Sequence, residues 1–241
     1  MGSLIIKRDG KAPSHITNTS GLGNQNVSAS DFEVPRIKLL QKLSGECDRI
    51  KGASAGKLFN TVSEEVSSTV LCLNLRFRSG YAALTKDKNL TYTNMAGTYV
   101  FEDEDSASQS LVNEDIDPGL YNFHVIHIHD LLLLDEKTGK IESPAFAEFI
   151  KTKVKVSKGW NTKIGREGGD RFSHVWEISS EEINHNGNKW FNFVIEPYGY
   201  ASDELYAEAK TVYDSMTNGS VKRLADDLDE EKALAKEEET S

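Results

Sequence analysis

The stretch Ser143 to Phe172, SPAFAEFIKTKVKVSKGWNTKIGREGGDRF, constrains this chain most, because one run of residues must serve both an apolar core and a cationic surface. Projected at helical pitch, Phe146, Phe149, Ile150, Val154, Ser157, Trp160, Asn161 and Ile164 fall on one side, with Lys151, Lys155, Lys158 and Arg166 opposite. Ser143 can cap a first turn, and Pro144 suits the first helical position, where no amide hydrogen is left over. Gly165, Gly168 and Gly169 bound the far end. Lys151, Lys153 and Lys155 also alternate with Thr152, Val154 and Val156 as in a strand, but that reading explains fewer residues, so the pattern predicts a helix. Lys153 lies within the apolar arc and does not fit it.

The flanking segments read mostly as strands. Thr69–Arg78, TVLCLNLRFR, alternates, with Leu71, Leu73, Leu75 and Phe77 on one face and Asn74, Arg76 and Arg78 on the other. Leu90–Phe101 reads as a second strand bent at Gly97, and Tyr121–Leu134 as a third, buried on both sides over part of its length. Between the first two, SGYAALTKDKN reads as a loop holding Tyr81, Lys86 and Lys88. RFSHVWEIS and KWFNFVIEPYGY flank His185-Asn186-Gly187-Asn188, and Asn-Gly between apolar runs predicts a hairpin. Residues 203–216 carry Leu205, Tyr206, Ala209, Val212, Tyr213 and Met216 at helical spacing. The earlier run DFEVPRIKLLQKL, from Asp31, is apolar enough to dock and could be strand or helix, and residues 51–60 read as a loop into the core. These elements make an α+β chain of mainly β character.

Residues 1–30, rich in Gly, Ser, Asn and Thr without periodicity, predict a flexible arm, residues 31–217 a single domain, and residues 218–241 an acidic tail. No run approaches the roughly 20 apolar residues that span a bilayer, and the amino terminus lacks a secretory pattern, so a cytoplasmic protein is expected. Cys47 and Cys72, without metal-ligand spacing, are expected to be reduced thiols.

The net charge of −10 argues against nucleic acid only until it is divided along the chain. Residues 1–101 carry thirteen Lys/Arg against eight Asp/Glu, and residues 151–171 carry seven against two, so each region is +5. Residues 102–117 hold seven acids and no base, which predicts a solvated excursion, and residues 224–241 hold eight acids against two lysines. Those eight are Asp226, Asp227, Asp229, Glu230, Glu231, Glu237, Glu238 and Glu239.

Four stretches carry a resemblance: VPRIKLLQKLSGE at 34–46, LLLLDEKTG at 131–139, KVKVSKGWN at 153–161, and HNGNKWFNFVIEPYGY at 185–200 leading into a Tyr-Ala-x-Ala-Lys helix. With the order of strands, helix and acidic tail, the chain resembles phage-encoded single-stranded DNA-binding proteins built on the OB fold. The resemblance implies a five-stranded OB-like barrel with one inter-strand helix and a packing helix near the carboxyl end. It also implies a non-catalytic, sequence-tolerant protein of phage replication or recombination, living in the infected cell and recruiting partner proteins through its tail. Such tails often end in an aromatic residue, whereas this one ends Glu-Glu-Glu-Thr-Ser, so a partner pocket that needs a terminal aromatic would not be served.

Single strands are bound by cations that track phosphates and aromatic faces on which bases stack. Arg76, Arg78, Lys86 and Lys88 flank Tyr81 and Tyr92, and Lys151, Lys155, Lys158 and Arg171 make a second candidate surface near Trp160 and Phe172. Arg76 and Arg78 are the leading contacts, and their joint replacement by alanine is expected to weaken binding without unfolding. Trp160 shares the apolar arc and reads as core. His124, His127, His129 and Asp130 suggest a metal site only weakly, since His124 points away from the other two histidines. No nucleophile elbow or activated-cysteine pattern is present, so neither enzyme chemistry nor a cofactor is expected. A virion or assembly protein is the alternative, and a module that binds a host enzyme through the tail is a third class.

Overall fold

The computed structural model describes residues 33–86 and 101–217, and the part from Val34 onward forms one contact unit. Two antiparallel sheets and several helices make a mixed α+β architecture dominated by strands. The small sheet contains β1 (Ile37–Leu39), β2 (Leu58–Asn60) and β3 (Val66–Ser67), with a one-turn helix α1 (Glu46–Arg49) between the first two. The large sheet contains β4 (Val70–Thr85), β5 (Tyr121–Leu134), β6 (Ile141–Ile150), β7 (His174–His185) and β8 (Asn188–Tyr200), in the order β6-β5-β4-β7-β8. Helix α2 (Glu104–Asn113) lies between β4 and β5, α3 (Val154–Glu167) lies between β6 and β7, and α4 covers residues 203–217.

The strand β4 is central because it has partners on both sides. It pairs with β5 from Leu71↔Leu134 to Thr85↔Tyr121, and with β7 from Val70↔Ile178 to Leu73↔Val175. Both faces of this sheet are covered. On one face Cys72, Leu131, Leu133, Ala147, Phe149, Trp176, Ile178 and Phe193 meet Trp160 and Ile164 of α3 and Ile37, Leu39 and Leu58 of the small sheet. On the other, Leu71, Leu73, Leu75, Leu132, Leu134 and Val175 meet Phe172 and the Leu205, Tyr206, Ala209, Val212 and Tyr213 stripe of α4. Trp160, Trp176 and Phe149 are almost wholly buried, and each contributes about 2–3 kcal/mol of apolar burial. The stretch Ile126–Leu134 of β5 is buried on both sides, as its mixed faces predict.

Several expectations are corrected. The helix expected from Ser143 begins only at Val154; residues 141–150 form β6, and a 3-10 turn, Lys151–Lys153, joins the two. The reason is nonlocal: β5 offers a free edge, and pairing from Ile126↔Ile150 to Leu134↔Ile141 buries Ala145, Ala147 and Phe149 at period two. Pro144 is tolerated because β6 is an edge strand, where a missing amide hydrogen costs little. Ser143 therefore does not cap this helix, and Lys153, at the N-cap position of α3, makes no side-chain cap. Lys151, at φ 55, makes the backbone break between strand and helix.

The loop expected after Arg78 is instead the second half of β4, which finds a partner in Tyr121–Ile128. The acidic run is not wholly a solvated excursion, because Glu104–Asn113 is helical, with Asp103 accepting from Ser106 N at 2.7 Å. Acids in the first turn suit the positive end of that helix, while Ala107 and Leu111, one turn apart, are buried. Of the strand expected at 90–101 only Phe101 is described, and it exchanges backbone hydrogen bonds with Tyr81.

Other expectations hold. The β7–β8 hairpin turns on Asn186 (φ 50) and Gly187 (φ 81), the two positive values of a type I′ turn. The segment at 31–43 contributes β1, and the loop at 51–60 ends in β2. Residues 203–217 are helical with the expected apolar stripe inward. The arm expected at residues 1–30 and the acidic tail expected at residues 218–241 both lie wholly outside the described residues.

The five strands do not close into a barrel: β6 and β8 are edges, and no ladder joins them among the described residues. The segment before and after β1 occupies the gap. Phe146 N donates to Pro35 O at 2.9 Å on the β6 side. On the β8 side the Gln41 amide imitates a strand residue, donating to Phe191 O and accepting from Phe191 N, both at 2.9 Å. Among the described residues no helix is long and apolar enough to cross a membrane.

Candidate functional site

A β-bulge in β4 decides which side chains share a surface. Register runs to Asn74↔Leu131 and resumes at Arg76↔Asp130, leaving Leu75 as the extra residue. Leu71, Leu73 and Leu75 face α4, and after the bulge Arg76 and Arg78 continue on that side while Phe77 crosses to the side of α3. Strict alternation had put Asn74 with Arg76 and Arg78, and Phe77 with the leucines; the bulge reverses both assignments.

Arg76 and Arg78 converge on one carboxylate. Arg76 Nε donates to Asp130 Oδ2 at 2.8 Å, and Arg78 donates through Nη2 to Oδ1 at 2.6 Å and through Nε to Oδ2 at 3.1 Å. Asp130 is 5% exposed, so the pair of guanidinium groups first of all keeps a buried charge satisfied.

On the α3 side lies a polar network. Arg171 Nε donates to Asn74 Oδ1 at 3.1 Å, and its Nη2 donates to Asn161 Oδ1 at 2.7 Å and lies 3.4 Å from His129 Nδ1. Asn74 Nδ2 meets the same His129 Nδ1 at 2.8 Å, while His129 Nε2 meets Ser157 Oγ at 2.7 Å and His127 Nδ1 meets that hydroxyl at 2.9 Å. Arginine only donates, so Asn74 must turn its oxygen to Arg171 and its NH₂ to His129. His129 Nδ1 then accepts and its Nε2–H donates to Ser157, so His129 is neutral with its proton on Nε2, while His127 Nδ1 shares the same hydroxyl.

The electrostatics agree with this assignment. Burial, followed by the charges of Arg171 and His127, brings His129 down to about 2, while burial and then Lys158 lower His127. His129 stacks on Trp160 at 4.4 Å between ring centroids, and Phe77 meets His127 edge-on at 5.0 Å with the Arg171 guanidinium 5.7 Å from its ring centre.

Phe77 and Tyr81, both half-buried, and the exposed Ser79 follow one another at period two on this face, opposite His129, His127 and the 41% exposed Val125. Lys155, Lys158 and Arg166 project from α3, and Lys151 is exposed just before it. Tyr81 therefore shares its face with Phe77 and the α3 side of the sheet, whereas Arg76 and Arg78 lie opposite. Lys86 is exposed at the end of β4, where its ammonium donates to Gly119 O at 2.7 Å. Lys88, Tyr92 and the eight tail acids lie outside the described residues. Trp160 and Phe172 are core, at 1% and 5% exposure. Lys153, the misfit of the sequence pattern, lies 5.2 Å from the Phe193 ring centre, and burial, followed by the charge of Arg36, lowers its ammonium to about 8.

Among the described residues no three His, Cys, Asp or Glu side chains gather where they could hold a metal ion. His127 and His129 meet at a hydroxyl, and Asp130 is on the opposite face with its arginines. Sequence reasoning missed Asn74, Ser157 and Asn161 as a unit. The visible signal was two polar residues, Ser157 and Asn161, inside an apolar arc.

A family model described as Pam3 phage gp34-like protein matches residues 7–222. No curated protein and no solved structure matched the chain. The match spans most of the 241 residues, and the chain belongs to the Pam3 phage gp34-like protein family.

Proposed function

We propose that this protein binds single-stranded DNA without sequence preference, in phage replication or recombination, sheltering the strand rather than acting on it. The observation that carries the reading is the face bearing Phe77, Ser79 and Tyr81, with Arg171 against the Phe77 ring and the charge of Lys158 near His127 on the same face. Aromatic rings next to cations are what a strand of stacked bases and phosphates requires, each stacked base being worth about 1–3 kcal/mol.

The connectivity supports the same reading. Numbering only β4 to β8, the large sheet runs third-second-first-fourth-fifth, with α3 between the third and fourth strands. That is the order of an OB-like barrel left open between its third and fifth strands, and the β1 segment occupies the opening. In OB folds the second and third strands and the loops after the first and fourth contact oligonucleotides. Here Lys86 follows β4 directly, and Lys88 and Tyr92 come next in the sequence, outside the described residues. The acidic tail would serve as a tethered competitor for the same cations and as a handle for replication or recombination proteins.

The test is fluorescence anisotropy of a labelled oligothymidine titrated with the full chain and with a chain ending at residue 217, at low and high salt. Saturable binding that weakens steeply as salt rises is the expected result, because bound cations release counterions. No binding by either chain at low salt would overturn the reading and return the protein to the virion or assembly class.

A further inference from the structure

We propose that the guanidinium of Arg171 is a preset contact for one phosphodiester group, with Asn74, Asn161 and His129 as the positioning residues that aim it. This inference rests on the single-strand-binding reading and specifies which group takes the backbone anion.

Arg171 lacks the carboxylate that several other half-buried cations have, as does Lys153, which rests on the Phe193 ring instead. Arg36 has Glu148 at 2.8 Å, Lys38 has Glu46 at 2.7 Å, and Arg76 and Arg78 have Asp130. Among the described residues Arg171 makes no ion pair, and its three hydrogen-bond acceptors, Asn74, Asn161 and His129, are all neutral. A guanidinium drawn out of water in this way bears a desolvation cost with no Coulombic return. An anion from outside the chain supplies that return.

The geometry also leaves a donor edge available. Nε and Nη2 are committed to the network, which locks the plane of the guanidinium, and Nη1 has no hydrogen bond among the described residues. An arginine fixed at one edge with its other edge open is suited to phosphate oxygens. The Arg171 guanidinium lies 5.7 Å from the ring centre of Phe77. One positive charge with an open donor edge matches the oxygens of a phosphodiester of charge −1, with Phe77 and Tyr81 left for the bases.

The experiment measures oligothymidine affinity against sodium chloride for the wild-type chain, Arg171→Gln and Arg171→Lys, with folding of each checked by urea denaturation. For single strands the slope of log affinity against log salt is about −0.7 for each phosphate neutralised. Arg171→Gln is expected to weaken binding about tenfold and to reduce the slope by about 0.7. Arg171→Lys is expected to keep the slope and still lose affinity, because the fork is gone. The guanidinium nitrogen resonances of Arg171 in the wild-type chain, followed by NMR during the titration, give a readout that needs no variant and should shift on binding. Binding with an unchanged slope in Arg171→Gln, or with unmoved Arg171 resonances at saturation, overturns this inference and leaves the DNA reading standing. No binding by the wild-type chain overturns both.

Discussion

Acidification should destabilise this protein through one histidine. His129 is fully buried, stacked on Trp160 and flanked by Phe77 and Phe149, and its hydrogen-bond partners are Asn74, Ser157 and Arg171. No carboxylate is among those contacts to offset the burial. Its ring is held down to about 2, against 6.5 in the unfolded chain. A folded-state value below the unfolded one means that the unfolded chain takes up the proton first. The stabilisation from keeping His129 neutral is therefore complete above pH 6.5 and is lost progressively as pH falls from there toward about 2. The slope is about 1.4 kcal/mol per pH unit, so the step from pH 7 to pH 5 removes about 2 kcal/mol. Carboxylates and the other histidines titrate too, and the measurement must isolate this group. Urea denaturation of the wild-type chain and of His129→Gln, each at pH 7 and pH 5, does so. The variant is less stable at pH 7, having lost the Trp160 stack. Its further loss on going to pH 5 should be smaller than that of the wild type by about 2 kcal/mol, roughly 1 M in urea midpoint. Equal losses in the two proteins would refute the argument that burial keeps this ring neutral.

Replacing Arg76 and Arg78 together by alanine leaves Asp130 buried without a partner, and urea denaturation should show a loss of about 3 kcal/mol. Adding Asp130→Asn should recover part of it; a double variant as stable as wild type would mean that the pairs contribute nothing. Gly56, at φ 89, lies where an added Cβ would be 2.5 Å from the Phe191 ring, so Gly56→Ala should cost about 2 kcal/mol or more and disturb the Gln41–Phe191 junction. An alanine variant with wild-type thermal stability would show that this junction yields easily.

Much of the fold was legible where a local rule and the tertiary environment agreed. Asn186-Gly187 needs two positive φ values, and a type I′ hairpin provides them. The four consecutive leucines at the end of β5, Leu131 to Leu134, call for cover on both faces, and α3 and α4 provide it. Leu205, Tyr206, Ala209, Val212 and Tyr213 form a stripe that has one packing solution. The candidate site was legible in part: Tyr81, Lys155, Lys158 and Arg171 were singled out, yet Tyr81 was grouped with Arg76 and Arg78, which point to the opposite face. One inserted residue, Leu75, accounts for that error, and nothing in TVLCLNLRFR marks where a bulge must fall.

What the sequence determined by itself was the inventory of amphipathic elements, because periodicity of apolar residues is a local property. It defined the buried arc of Ser157, Trp160 and Ile164, the outward lysines at 155 and 158, and the oddity of Lys153. Tertiary structure alone decided that Ile141–Ile150 is a strand, since helical and extended arrangements both bury part of that run and only the open edge of β5 selects between them. It also decided that Asn74, His129, Ser157 and Arg171, separated by up to 97 residues between Asn74 and Arg171, share one hydrogen-bonded network. Buried polar groups must find partners, and which partners they find depends on how distant segments are brought together.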